Sequence, residues 1–217
     1  MSLLNDNALR QLEKLNQQID LSFLTAAQQA DLQAVLGLSD FVSDALSKQP
    51  ELLVELVASG LLESAQRSVQ IKDELQRLLS ATTDEITLHK VLRLFRRKHM
   101  LVIAWRELLG KASLEESFMH TSYLADRLIL QSMHWLYEKQ CAEQGTPRNP
   151  AGIRQTLYVF AMGKLGGQEL NFSSDIDLIF AYPERGKTQG GRRHIDNQTF
   201  FIKLGQRIIA ALHQITV

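Results

Sequence analysis

Hydrophobic positions recur at helical spacing over the first two-thirds of the chain. Leu88, Val91, Leu92, Phe95, Val102, Trp105 and Leu109 fall on one stripe, which predicts a long amphipathic helix. Asp84 suits its start and Gly110 its end, the first as a cap and the second as a left-handed stop. Arg93, Arg96 and Arg97 fall on the side opposite the stripe. A second long helix is expected to bury Phe118, Leu124, Ala125, Leu128, Ile129, Trp135 and Leu136 before Gly145 and Pro147 stop it. Shorter amphipathic helices are expected around residues 6–18, 26–36, 39–48, 50–58 and 62–79.

After residue 150 the period changes. Residues 156–162 form a continuous apolar run with β-branched and aromatic members, the pattern of a buried strand. Residues 175–182 read as a second strand closed by Pro183, and residues 184–193 as a polar, glycine-rich loop. Helical spacing returns with Phe201, Leu204, Ile208, Ala211, Leu212 and Ile215. Glycine and proline follow the same division: three glycines and one proline before residue 145, nine and three from residue 145 on. The cluster at residues 145–152 reads as a linker. The mixed domain over 153–217 reads as an α/β or α+β core, and with the helical domain over 1–145 the expected fold class is α+β, predominantly helical.

Composition narrows the function. The 217 residues carry 24 basic and 24 acidic side chains and are 45% apolar. That balance suits a globular core and argues against a nucleic-acid-coating or membrane-surface protein. The single Cys141 makes no internal disulfide or cysteine-based zinc site, and it reads as a small packed side chain. The six histidines show no metal-ligand spacing. No apolar run approaches 18 residues and the N-terminus lacks a signal pattern, so a cytoplasmic, soluble protein is expected, and it is taken as a monomer.

The candidate chemistry lies at the second strand. Asp175 and Asp177 are two apart, so both carboxylates leave one face while Ile176, Leu178 and Phe180 point the other way. Carboxylates so placed, roughly 7 Å apart along the backbone, suit Mg2+, which takes few protein ligands and leaves room for phosphate oxygens. The pair alone is weak, because eleven aspartates yield a chance Asp-x-Asp in about half of such chains. Its context is what matters. Gly166 and Gly167 offer backbone N–H groups to a phosphate, and Lys164, Ser173 and Ser174 add donors. Lys187, Arg192 and Arg193 form a basic loop able to meet an anion, and mobility is an equal reading of it.

The run from Gly163 to Phe180, GKLGGQELNFSSDIDLIF, resembles the signature of the bifunctional glutamine synthetase adenylyltransferase/adenylyl-removing enzymes. These belong to the DNA polymerase β-like nucleotidyltransferase superfamily. The resemblance extends to residues 188–193, Phe200 and Phe201, and back to residues 92–98, 103–105 and 39–42. It implies a helical domain followed by an incomplete nucleotidyltransferase core, with magnesium on Asp175 and Asp177 and phosphate-side contacts from Lys164, Gly166, Gly167 and Ser174. It further implies removal of AMP from a glutamine synthetase tyrosine by phosphorolysis, giving ADP, with regulation by the PII signal protein. Residues 93–97 and 189–193 look more like the AMP-removing half than the half that transfers AMP from ATP. The superfamily's third carboxylate is not found before Val217, and Asp196 reads as a helix cap instead. A fragment inactive alone is therefore expected. A non-catalytic helical module docking glutamine synthetase or PII is the alternative from another class.

Overall fold

The computed structural model describes residues 2–64, 68–191 and 194–213. In chain order its elements are α1 (Ser2–Gln18), α2 (Ala26–Leu38), α3 (Asp40–Lys48), α4 (Glu51–Ser59), α5 (Ser68–Ser80), α6 (Glu85–Leu108) and α7 (Leu114–Gln144). β1 (Thr146–Arg148), β2 (Tyr158–Ala161), α8 (Gly163–Gly166), β3 (Leu178–Ala181), β4 (Lys187–Gln189) and α9 (Asn197–His213) follow. The mostly helical α+β class is as expected. Helix-forming periodicity placed each long helix to within a few residues, and the caps are those the side chains allow. The Thr87 N–H donates to Asp84 Oδ1 at 2.9 Å, and Gly110 takes φ +67° just past α6.

Contacts divide the chain into two compact units, and differently from the division expected at residues 145–152. One unit comprises residues 1–67 and 97–121, the other residues 68–96 and 122–217. Both long helices therefore contribute to both. The physical reason is visible along α6: residues 100–106 are all buried, so the helix has no solvent face there and serves as a core element rather than a one-sided stripe.

The first unit packs leucine and valine side chains, among them Leu32, Val35, Leu46, Leu53 and Leu56, with Leu101 and Trp105. Thr25 and Gln28 form a reciprocal capping box that starts α2. Arg106, only 4% exposed, is neutralised by Glu116 at 2.9 Å and donates to the Lys111 carbonyl at 3.0 Å, as a buried charge must be. Lys111 itself joins Asp31 and Glu63 at 2.7 and 2.8 Å.

The second unit is organised around α7 and α9. Phe200, Phe201, Leu204, Ile208 and Ala211 form the buried side of α9. The expected Ile215 lies outside the described residues. Gln140 donates to the Phe200 carbonyl at 2.7 Å in a buried bond, and Arg207 pairs with Glu85 and Glu143 at 2.8 and 3.1 Å. Two antiparallel strand pairs complete the unit. β1 pairs with β4, Pro147 facing Thr188. β2 pairs with β3, Phe160 facing Ile179.

The first pair corrects the reading of residues 145–152 as a linker and of 184–193 as an unpaired loop. Pro147 and Asn149 are buried, and Thr188 is completely so. Glycine serves here for close approach rather than flexibility. Gly145 takes φ +84°, and a Cβ there would sit 2.7 Å from the Gly191 nitrogen. Asn197, fully buried, ties the end of β1 to the segment leading into β4 by donating to the Arg148 and Glu184 carbonyls at 3.1 and 3.2 Å. Arg192 and Arg193 lie outside the described residues.

The second pair corrects the reading of β2 as a strand buried on both faces. Val159 and Ala161 pack on a core of Ile129, Leu165 and Leu170, joined there by Ile176 and Leu178. Tyr158 and Phe160 instead stand half exposed. Ladder pairing begins at Leu178, later than the expected residue 175, although the Met162 N–H reaches the Asp177 carbonyl at 2.9 Å and extends the register one step.

Candidate functional site

Asp175 and Asp177 lie in the extended segment just ahead of β3, both exposed, with Ile176 and Leu178 partly buried between and after them. Alternation thus places the carboxylates together on the open face of the β2–β3 pair. The Met162–Asp177 backbone bond fixes them to the end of β2, and the chain turns there into α8, the short helix that carries Lys164 and Gly166.

The turn and the carboxylate segment meet through side chains. Lys164 Nζ lies 3.3 Å from Ser174 Oγ, and the Ser174 hydroxyl bonds Asn171 Oδ1. Lys164, Ser174 and both aspartates therefore occupy one neighbourhood, with the Lys164 side chain exposed. Gly166 is required by packing: a Cβ there would sit 2.6 Å from the Ala161 carbonyl oxygen. Its surface is exposed as well, but the Gly166 and Gly167 N–H groups already donate to the Met162 and Gly163 carbonyls at 3.3 and 3.0 Å, which corrects the expectation that they are free donors for a phosphate. Gly167 has more room, with a Cβ meeting only the Glu169 side chain at 3.4 Å.

Residues that the sequence did not single out hold this loop in place. Ser122 on α7 accepts from the Leu170 N–H at 3.0 Å. Gln168, in the left-handed region at φ 58°, reaches Asp126 Oδ2 at 3.3 Å. Asn171 was legible as an Asx-type turn residue ahead of two serines, whereas Ser122 and Asp126 depend on a packing more than forty residues away and carry no local signal.

Other candidates sit elsewhere. Arg93, Arg96 and Arg97 are partly buried rather than projecting freely, and burial lowers the pKa of the Arg96 guanidinium. Lys187 is exposed on β4. Cys141 is half-buried, burial pushes its thiol pKa up, and so it is held as the unreactive thiol. Asp196 stands at the N-cap of α9, its carbonyl accepting from the Phe200 N–H at 3.0 Å.

Two exposed carboxylates are a hard, oxygen-only donor set, and they fit a magnesium ion that completes its shell with water and phosphate oxygens. Among the described residues no group of three or more His, Cys, Asp or Glu side chains converges to hold a metal. None of the described helices is long and apolar enough to cross a membrane.

Known proteins extend the picture. The glutamate-ammonia ligase adenylyltransferase family matches residues 29–217. A bifunctional glutamine synthetase adenylyltransferase/adenylyl-removing enzyme of Psychromonas ingrahamii is 65% identical over all 217 residues, which cover 23% of that protein. Enzymes of the same description from Shewanella oneidensis and Shewanella woodyi are 49% and 50% identical over 91% and 89% of this chain, in each case 20% of their own length. The chain thus spans about a quarter or less of these relatives. On matching residues and identity alike, it belongs to the glutamate-ammonia ligase adenylyltransferase family.

Proposed function

We propose that this chain carries the phosphate-binding and metal-binding part of an adenylyl-removing site acting on adenylylated glutamine synthetase. The observation that supports it is the joint placement of Asp175, Asp177, Lys164 and Ser174 at one end of the β2–β3 pair, beside an exposed glycine turn. Relatives described as both adenylyltransferase and adenylyl-removing supply the substrate class. Residues 93–97 and 189–193 favour the removing half.

In that reaction an oxygen of inorganic phosphate attacks the AMP phosphorus, and the bond from phosphorus to the tyrosyl oxygen breaks. ADP leaves, and the tyrosyl oxygen recovers a proton. Asp175 and Asp177 would hold magnesium, which when bound offsets negative charge on the phosphoryl oxygens and orients them. Lys164 and the Ser174 hydroxyl bind phosphate oxygens from the same side, and the absence of side chains at Gly166 and Gly167 lets the phosphate approach closely. Preorganised donors of this kind lower the barrier because they need not reorganise as charge shifts.

The test is magnesium-dependent ADP release from adenylylated glutamine synthetase and phosphate, with the chain inside its longer parent. Asp177→Asn should lower turnover by at least about 100-fold. Near-normal turnover in that variant would remove the metal assignment. Labelled phosphate appearing in ADP identifies the removing half, and label passing from ATP to glutamine synthetase would identify the transferring half instead. Because no third carboxylate joins the pair among the described residues, residues 1–217 alone should show no measurable ADP release.

A further inference from the structure

The face of the β2–β3 pair that carries the carboxylates is otherwise apolar. Antiparallel register sets Phe160 opposite Ile179 and Tyr158 opposite Ala181, and the Met162–Asp177 bond continues the same register by one row. Side chains alternate along each strand, so Tyr158, Phe160, Met162 and Ile179 share a face with Asp175 and Asp177. These four are 52%, 55%, 47% and 52% exposed. Val159, Ala161, Ile176 and Leu178 fill the opposite face against the core. Packing explains one face and leaves the other without a role, and contiguous apolar exposure of this kind marks a binding surface.

We infer that this strip, with Phe160 and Ile179 at its centre, receives the planar base of the nucleotide whose phosphates lie at Asp175 and Asp177. The inference rests on the phosphate-and-metal reading of those two residues and extends it to the base. Reach supports the placement. The Phe160–Ile179 row stands two residues, roughly 7 Å, from the Met162–Asp177 row, so a sugar fits between phosphate and base. Chemistry supports it too. The strip carries no charged side chain, which suits a base rather than a second phosphate. An aromatic ring, an aliphatic branch and a thioether offer a stacking surface indifferent to hydrogen-bond pattern. Selectivity among bases would then come from elsewhere, and the strip would supply affinity and aim.

Calorimetric titration of the full 217-residue chain with ADP and with pyrophosphate, each in magnesium, separates the base from the phosphates. ADP should bind more tightly than pyrophosphate. Phe160→Ser and Ile179→Ser should each weaken ADP by about 5- to 30-fold, the range of one base-stacking contact, and leave pyrophosphate within about twofold. Phe160→Tyr should restore ADP binding, which a merely misfolded variant would not show. Asp177→Asn should weaken both ligands. If wild-type ADP affinity equals that of pyrophosphate and neither serine variant changes it, the strip is not the base site, while the Asp177 dependence of pyrophosphate stands untouched. If ADP depends on Phe160 but not on Asp177 or magnesium, the strip survives and the metal reading falls. Concentration-dependent self-association that Phe160→Ser abolishes without changing ADP affinity would assign the strip to a second copy and overturn the inference.

Discussion

β1–β4 and β2–β3 are both antiparallel two-stranded pairs in the same unit, and they are built on opposite terms. The β1–β4 pair hides Pro147 and Thr188 at its centre and uses Gly145 and Gly191 to bring backbones together. The fully buried Asn197 bonds the end of β1 and the segment leading into β4. The β2–β3 pair hides one face and leaves aromatic and aliphatic side chains half exposed beside two carboxylates. The first arrangement hides its centre and spends the Asn197 amide N–H groups on backbone carbonyls, which serves stability. The second leaves apolar surface in water, which stability alone would not select. Within one unit, then, the strand pair that looks like a flexible connection in sequence is the structural one. The strand pair that looks like core is the one that keeps an apolar face open.

Substitutions should separate the two pairs by size of effect. Gly145→Ala is expected to be the most damaging, about 3 kcal/mol in urea unfolding, because it adds both a left-handed strain and a backbone clash at 2.7 Å. A loss below about 1 kcal/mol would mean that β1 and β4 separate easily. Asn197→Ala should cost about 2 kcal/mol by stranding two carbonyls it now satisfies, again read from the unfolding midpoint. On the other pair, Tyr158→Ser and Ile179→Ser should each stay within about 0.5 kcal/mol of the parent, since their side chains are half in water already. A cost above about 2 kcal/mol at either position would place these residues in a core and erase the contrast.

Tyr137 adds a pH-dependent test: it anchors the segment between the two pairs by donating to the Gln155 carbonyl at 2.6 Å. Burial pushes its phenol up to about 12, against an ordinary value near 10. The unfolded chain therefore ionises first as pH rises. Stability from this group is complete below about pH 10 and declines as pH climbs from there towards 12. Comparing unfolding of the parent and Tyr137→Phe across that window should show a shallower decline in the variant; parallel curves would dismiss the tyrosine as the source.

Much of this was legible in the sequence, and the failures share a cause. The long helices follow from period and caps, as Asp84 and Gly110 show. The common facing of Asp175 and Asp177 follows from the two-residue alternation of extended backbone. The β1–β4 pair was not legible because it joins segments some forty residues apart, and its glycines satisfy a contact with distant backbone that local chemistry does not announce. The division of α6 and α7 between units was hidden likewise: Arg106 reads as a surface residue until Glu116 and the Lys111 carbonyl are seen around it. In the candidate site the motif residues could be singled out from the sequence, and the residues that brace them, Ser122 and Asp126, could not.

The bond between the Met162 N–H and the Asp177 carbonyl has a consequence for how this sequence can change. Side-chain facing in a strand has period two, so a slip by one residue inverts it. Losing a single residue between Asp177 and Ala181 would turn the carboxylates inward, toward Ile129 and Leu165, and send Ile176 outward in their place. Between Gly167 and Ser173, where the chain is not laddered, the same loss would disturb Leu170 and its bond to Ser122 but would leave the facing of the aspartates unchanged. Only on the strand side of Asp175 does a change of length invert that facing, so the frame of the strand protects the pair as firmly as the identity of the aspartates does.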